Sequence, residues 1–407
     1  MKARYWIFIV VLLAGSVLLG KFTYTSYMRM KNDYPTIENE DRKMAEIAKQ
    51  VADVRSHAKK RPVIDMPYCA NDKNTDLNIP NEQILRLAMR DCVFRLMEKK
   101  DYKTLDLMIS TSRDKKLRTS SGLWLQGIFY QSMKEYLKLD NKLQERDFER
   151  IDSELEVWIA QSDSDTAKLV LVDSMIRRAW LYRGSGYANE ISKVSFTKFH
   201  TQVAKAKKYL VANKEISTKD PKWFSEMLDV LNIGGNASPL EHKRYFDKAV
   251  SLYPEYYPIY YEASIFYYPW WHGDEPDSFD KFLVYATSKL PPDEAKVVYA
   301  RIYLSSLCDE CGEESKAWLR HWEQIAPGFD QILVDYPDLR NLNLYGWMAC
   351  SAGDKKRTLA ILRKIKQDVE FQIWKEPNTY NYCVKMSNFF EENRKLRAAE
   401  VEEALRH

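Results

Sequence analysis

The side chains best placed to do chemistry fall in one short turn. His272, Asp274 and Glu275 surround Gly273 and follow Pro269-Trp270-Trp271. An imidazole beside two carboxylates can move protons or bind a metal. All three share a single loop, however, and the chain shows no Gly-rich phosphate loop, no HExxH and no GxSxG. The expectation is therefore no catalytic residue, no metal and no cofactor. Cys308 and Cys311 form a CxxC without a second Cys/His pair to complete a zinc site, since His321 stands alone. A local Cys308–Cys311 disulfide and a reduced pair both remain open. Arg183-Gly184-Ser185-Gly186-Tyr187 could hold an anion on its backbone amides, but a helix–helix corner using glycine's positive φ is the favoured reading.

Around the turn, aromatic rings crowd between Tyr253 and Tyr285, out of 26 Tyr, 11 Trp and 16 Phe in the whole chain. Large amphipathic rings suit a binding surface because they bury area at little entropic cost. Tyr260, Tyr267, Trp270, Trp271, His272 and Asp274 are the candidate binding residues. The competing expectation is that most of the rings fill gaps between helices, with His272 and Asp274 exposed in their Gly-containing turn.

The elements that must carry these residues are helical. Only 13 Gly occur in 407 residues, and hydrophobic residues make up 45% of the chain. Few glycines, long side chains and little Val-Ile-Thr alternation favour helix throughout. The net charge of +4 makes no case for nucleic acid. Lys2 and Arg4 precede an apolar run that reads as a membrane helix over residues 5–20, and Leu18 is a poor fit for signal-peptide cleavage. Residues 1–30 thus form the expected uncleaved anchor, oriented N-in with an exported body. Residues 31–80 read as a stalk helix and a Pro/Asn-rich loop. Residues 81–407 form the body.

Within the body, Asp101 and Ser120-Ser121-Gly122 mark helix starts, with Leu105, Leu107 and Met108 turned inward on the first of these. Ile84, Leu85, Ala88, Cys92 and Leu96 share a face of the helix before them. Further helices are expected near 145–160, 164–182, 196–213, 220–231 and 238–252, and a solvated C-terminal helix after Asn393. A repeat signal runs over 240–370. Phe246, Ala249 and Pro254 match the end of a tetratricopeptide unit, and Leu283, Ala286 and Pro291 match it again. Leu342, Tyr345, Gly346, Ala349, Gly353, Thr358, Leu362 and Ile365 follow the order of a whole tetratricopeptide unit, with substitutions. The expected fold is all-α: one membrane helix, then a tetratricopeptide-like antiparallel helical-repeat array, an α-solenoid.

Ser121-Gly122-Leu123-Trp124 with Phe129-Tyr130, the segment Ala179 to Ala188, and Tyr268-Pro269-Trp270-Trp271-His272-Gly273 resemble an uncharacterised bacterial family with tetratricopeptide-like helices. That family is known only as a domain of unknown function. Its recurrent mark is a Pro-x-Trp-x-Gly turn followed by an acidic residue, and this chain has Trp-His-Gly-Asp where Trp-Gly-Gly is commoner. The resemblance covers about residues 80–305 and implies a fold and a bacterial source, but no reaction and no ligand. The functional expectation is a protein-binding adaptor, assembly factor or immunity-type protein, tethered in the bacterial inner membrane with its body in the periplasm. The alternative is an envelope-polymer hydrolase or lyase using His272, Asp274 and Glu275.

Overall fold

The structure, a computed structural model, describes residues 82–395 apart from 140–142, 187, 235–236, 269–270, 274, 307–317, 367, 375–376, 390 and 394. The expected anchor, stalk and 61–80 loop lie outside the described residues. So do Trp270, Asp274, Cys308, Cys311 and most of the C-terminal helix. Among the described residues no β-strand forms, and one isolated bridge pairs Arg118 with Trp124. Among them, too, no helix is long and apolar enough to cross a membrane.

The helices are α1 (Glu82–Glu98), α2 (Tyr102–Asp114), α3 (Leu125–Leu137), α4 (Glu145–Ser162), α5 (Asp165–Arg183), α6 (Lys193–Ala212), α7 (Lys222–Ile233), α8 (Pro239–Leu252), α9 (Pro258–Ile265), α10 (Ser278–Thr287), α11 (Pro292–Ser305), α12 (Trp322–Asp335), α13 (Leu339–Ser351), α14 (Lys355–Ile365) and α15 (Pro377–Met386). Local chemistry starts many of them. The side chains of Asp101, Ser164, Ser192, Ser238 and Asp354 each accept the backbone N–H three residues on, which satisfies an otherwise orphaned donor. Before α4 the Gln144 backbone N–H donates to the Asp147 carboxylate at 2.8 Å, and the Asp147 N–H donates to the Gln144 carbonyl at 2.9 Å.

The described residues divide into two compact units, 82–341 and 342–395. In the larger unit each odd-numbered helix from α1 to α11 packs on the next odd-numbered helix, so α1, α3, α5, α7, α9 and α11 form one stacked layer. The even-numbered helices pack against their sequence neighbours, and α2 also meets α4. Phe246, Ala249, Leu283 and Ala286, at the ends of the expected repeat units, are all fully buried. Leu107 and Ile84 depart from expectation: both are about half exposed, because the buried stripes of α1 and α2 are narrow and run through Leu85, Met89, Cys92, Leu105 and Met108 instead.

Ser120-Ser121-Gly122 does not start a helix. The hydroxyls of Thr119 and Ser121 donate to the buried Glu82 carboxylate rather than capping, and α3 begins only at Leu125. Gly122 sits at φ +85°, with the Tyr336 ring where a Cβ would stand. The Ser121 carbonyl accepts from Arg301 at 2.6 Å and Asn341 at 3.0 Å, while Trp124 and Arg118 donate to the Glu255 carbonyl at 2.7 and 2.8 Å. This loop therefore ties sequence-distant parts of the larger unit together. In the smaller unit Asn343 bridges the Trp374 indole and the Glu370 and Asp368 backbone. A Cys350–Cys383 disulfide, unforeseen from the scattered cysteines, links α13 to α15 across a sequence separation of 33.

Candidate functional site

Helix α7 is buried along almost its whole length, yet carries Lys222, Glu226 and Asp229 at i, i+4 and i+7. That spacing puts the three charges on one face. The stacked layer brings in Lys134 from α3, Asp173 from the otherwise apolar middle of α5, and Glu262 from α9. Lys134 Nζ lies 2.8 Å from Asp173, and Lys222 pairs with Asp173 at 3.4 Å and with Glu226. Lys222 also sits 4.7 Å from the Tyr130 ring centroid. At the N-terminal end of α7, fully buried Asp220 accepts from Gln126, Tyr130 and the Lys222 backbone N–H, and pairs with Arg113.

Two ammonium groups face four carboxylates here, and the low dielectric decides which carboxylates keep their charge. Burial alone would raise Asp173, but Lys134 and Lys222 hold it below its ordinary value. Glu226 is pushed up to about 7 by burial and then by Asp173. Burial raises Asp229 to about 6 against the pull of Lys134. Burial raises Glu262 to about 8, with Asp229 and Glu226 adding to it. Lys222 stays firmly protonated: burial disfavours its charge, but Asp173 and Glu226 outweigh that. Glu226 is buried, while Lys134, Asp229 and Glu262 are only half-buried, so solvent reaches the cluster along one side. Such clustering of perturbed carboxylates beside solvent is a functional-site signature. Among the described residues no group of His, Cys, Asp and Glu is arranged to hold a metal ion.

Of the residues expected from sequence, Tyr260 lies in the interior and Trp271 at the surface, with Tyr267 and His272 between them. Tyr260 is fully buried and donates to the Pro254 carbonyl at 2.9 Å, so it fills the interior rather than facing a groove. Tyr267 is half-buried and stacks on Phe282 at 4.3 Å. Trp271 is 37% exposed, with its ring 6.3 Å from Trp180. His272 is half-buried, stacks on Phe266 at 4.4 Å, and donates from Nε2 to the Asn232 carbonyl at 2.8 Å. Glu275 is exposed and pairs with Lys281, which also meets Asp277 at 3.0 Å. Tyr256, Tyr257, Phe266 and Phe282 are buried as well. In Arg183-Gly184-Ser185-Gly186, the guanidinium donates to the carbonyls of Gly184 and Gly186, and Gly184 has φ +77°. The segment is a corner closed on itself.

The 272 turn and the charged face meet at one helix end. Asn232 in the last turn of α7 accepts from His272 and donates to the Glu262 carbonyl at 2.8 Å. Sequence reasoning missed Lys134, Asp173, Lys222, Glu226, Asp229 and Glu262. A signal was present: isolated charges at helical spacing within the apolar stretches Leu169–Met175 and Trp223–Ile233. No protein-family model, no curated protein and no solved structure matches the chain.

Proposed function

We propose that this protein is a membrane-tethered, tetratricopeptide-like binding module that holds a peptide segment of another bacterial envelope protein against its stacked helix layer. The observation that carries this reading is the face built by α3, α5, α7 and α9, where successive stacked helices each contribute charged groups to one solvent-reached cluster. Helical-repeat layers offer extended surfaces of this kind, and a tether raises local concentration without any new contact. The Cys350–Cys383 disulfide supports an exported body, because such bonds persist in oxidising compartments.

The test is a photo-crosslinking amino acid placed at position 131, exposed on α3 three residues before Lys134, in the full-length chain in living cells, with half-exposed position 107 on α2 as control. The expected result is a discrete protein adduct from position 131 that is absent from position 107. Equal adducts from both positions, or none from either, would remove the reading. A second reading, an envelope-polymer hydrolase or lyase, is favoured by the neighbouring carboxylates raised to about 7 and about 8, since a carboxyl group kept neutral near pH 7 can act as a general acid. It predicts release of fragments from cell-wall material, lost in Glu226→Gln.

A further inference from the structure

The charged face holds acceptor oxygens that its two ammonium groups leave unpaired. Lys134 is taken up by Asp173, and Lys222 is shared between Asp173 and Glu226. Oε2 of Glu226, on a residue only 4% exposed, accepts no hydrogen bond. Buried carboxylate oxygens are nearly always partnered, so this oxygen, on a group already paired with Lys222 through Oε1, is an acceptor open to one further donor. Among the described residues, neither Asp229 nor Glu262 forms an ion pair, and both are half-buried. Asp229 stands one turn along α7 from Glu226, and α9 packs on α7 with its Glu262 carbonyl bonded to Asn232. The four carboxylates outnumber the two ammonium groups, so a cation bound here displaces the protons that burial keeps on Glu226 and Glu262.

We propose that this face binds the ammonium or guanidinium end of a lysine or arginine side chain of a bound peptide. Asp229 and Glu262 form the half-exposed rim of the site, and Glu226 lies at its buried end. An ammonium or guanidinium carries several N–H donors and no acceptor, which matches a set of acceptor oxygens in need of donors. The inference rests on the peptide-binding reading and narrows it to one ligand chemistry.

Fluorescein-labelled penta-lysine and penta-arginine, with penta-citrulline as the neutral isostere of penta-arginine, provide the test by fluorescence anisotropy. Each is titrated onto the full-length chain in detergent at physiological salt, with spermine as a competing free amine. The basic peptides should bind and penta-citrulline should not. Glu226→Gln combined with Asp229→Asn should weaken binding by about tenfold or more, as expected when charge pairs are removed. Glu262→Gln, a change at a half-exposed position, should weaken binding too, and keeps the test open should the buried pair fail to fold. Equal binding of penta-citrulline, or unchanged affinity in folded variants, overturns the proposal. Tighter binding of spermine than of either peptide overturns the peptide source. An adduct at position 131 in cells, without any cation dependence in vitro, would leave the binding module standing and remove only this inference.

Discussion

His242 offers the sharpest test of the packing. It is fully buried in α8, its ring lies 4.2 Å from Phe266 and 5.6 Å from Tyr267, and neither imidazole nitrogen has a hydrogen-bond partner. Burial, aided by the nearby His272, depresses it from 6.5 to about 3. The folded state therefore keeps this ring neutral while the unfolded chain protonates it. Below pH 6.5 the unfolded state binds the extra proton, so stability falls as pH drops, down to about pH 3. For a shift of that size the loss between pH 7 and pH 5 is about 2 kcal/mol, and in full about 5 kcal/mol. His242→Phe and His242→Leu remove both the titration and the unpaired nitrogens. Thermal melts followed by tryptophan fluorescence should show the variants near wild type at pH 7. At pH 5 they should melt about 4 °C or more above it, using about 2 to 4 °C per kcal/mol for a domain of this size. Parallel pH profiles for variant and wild type would refute the reasoning, since they would mean that His242 is protonated or partnered in the fold.

Other outcomes follow from the same packing. Gly122→Ala should destabilise by about 1 to 3 kcal/mol, since the residue sits at positive φ and its Cβ would meet the Tyr336 ring; Gly127→Ala, inside α3 with open space around it, should raise the melting temperature instead. Glu262→Gln should stabilise the protein at pH 8 and above. The wild-type residue is neutral in the fold with its pKa raised to about 8, so the stability it lends below its unfolded value is lost as pH rises through 8. A flat difference from pH 5 to 9 would sink that assignment. Cys350→Ser should lower stability by about 3 to 4 kcal/mol, the chain-entropy value for a loop of this length, read as earlier unfolding of the Trp374 environment. Asp220→Ala leaves Gln126, Tyr130 and Arg113 facing an empty acceptor position and should cost about 2 to 4 kcal/mol, measured by urea titration.

The helices were legible because their determinants are local. Asp101, Ser164 and Ser238 cap the helices that follow them, and the apolar spacing places α4 through α8 to within about three residues of their observed bounds. The crowding of aromatic rings was equally plain, but its meaning was not: exposure is a property of what packs opposite, and that puts Tyr260 inside while leaving Trp271 at the surface. Ser121 reads locally as a cap; Glu82, 39 positions away, claims its hydroxyl instead. The Cys350–Cys383 pairing needed α13 and α15 to be brought side by side. Sequence by itself determined the bounds of α4 through α8, since a cap or a stripe needs only neighbours three or four residues away. Only the tertiary structure decided the charged face. Lys134, Asp173, Glu226 and Glu262 stand on four different helices, and their charges acquire shared energetics only once stacking removes water from between them.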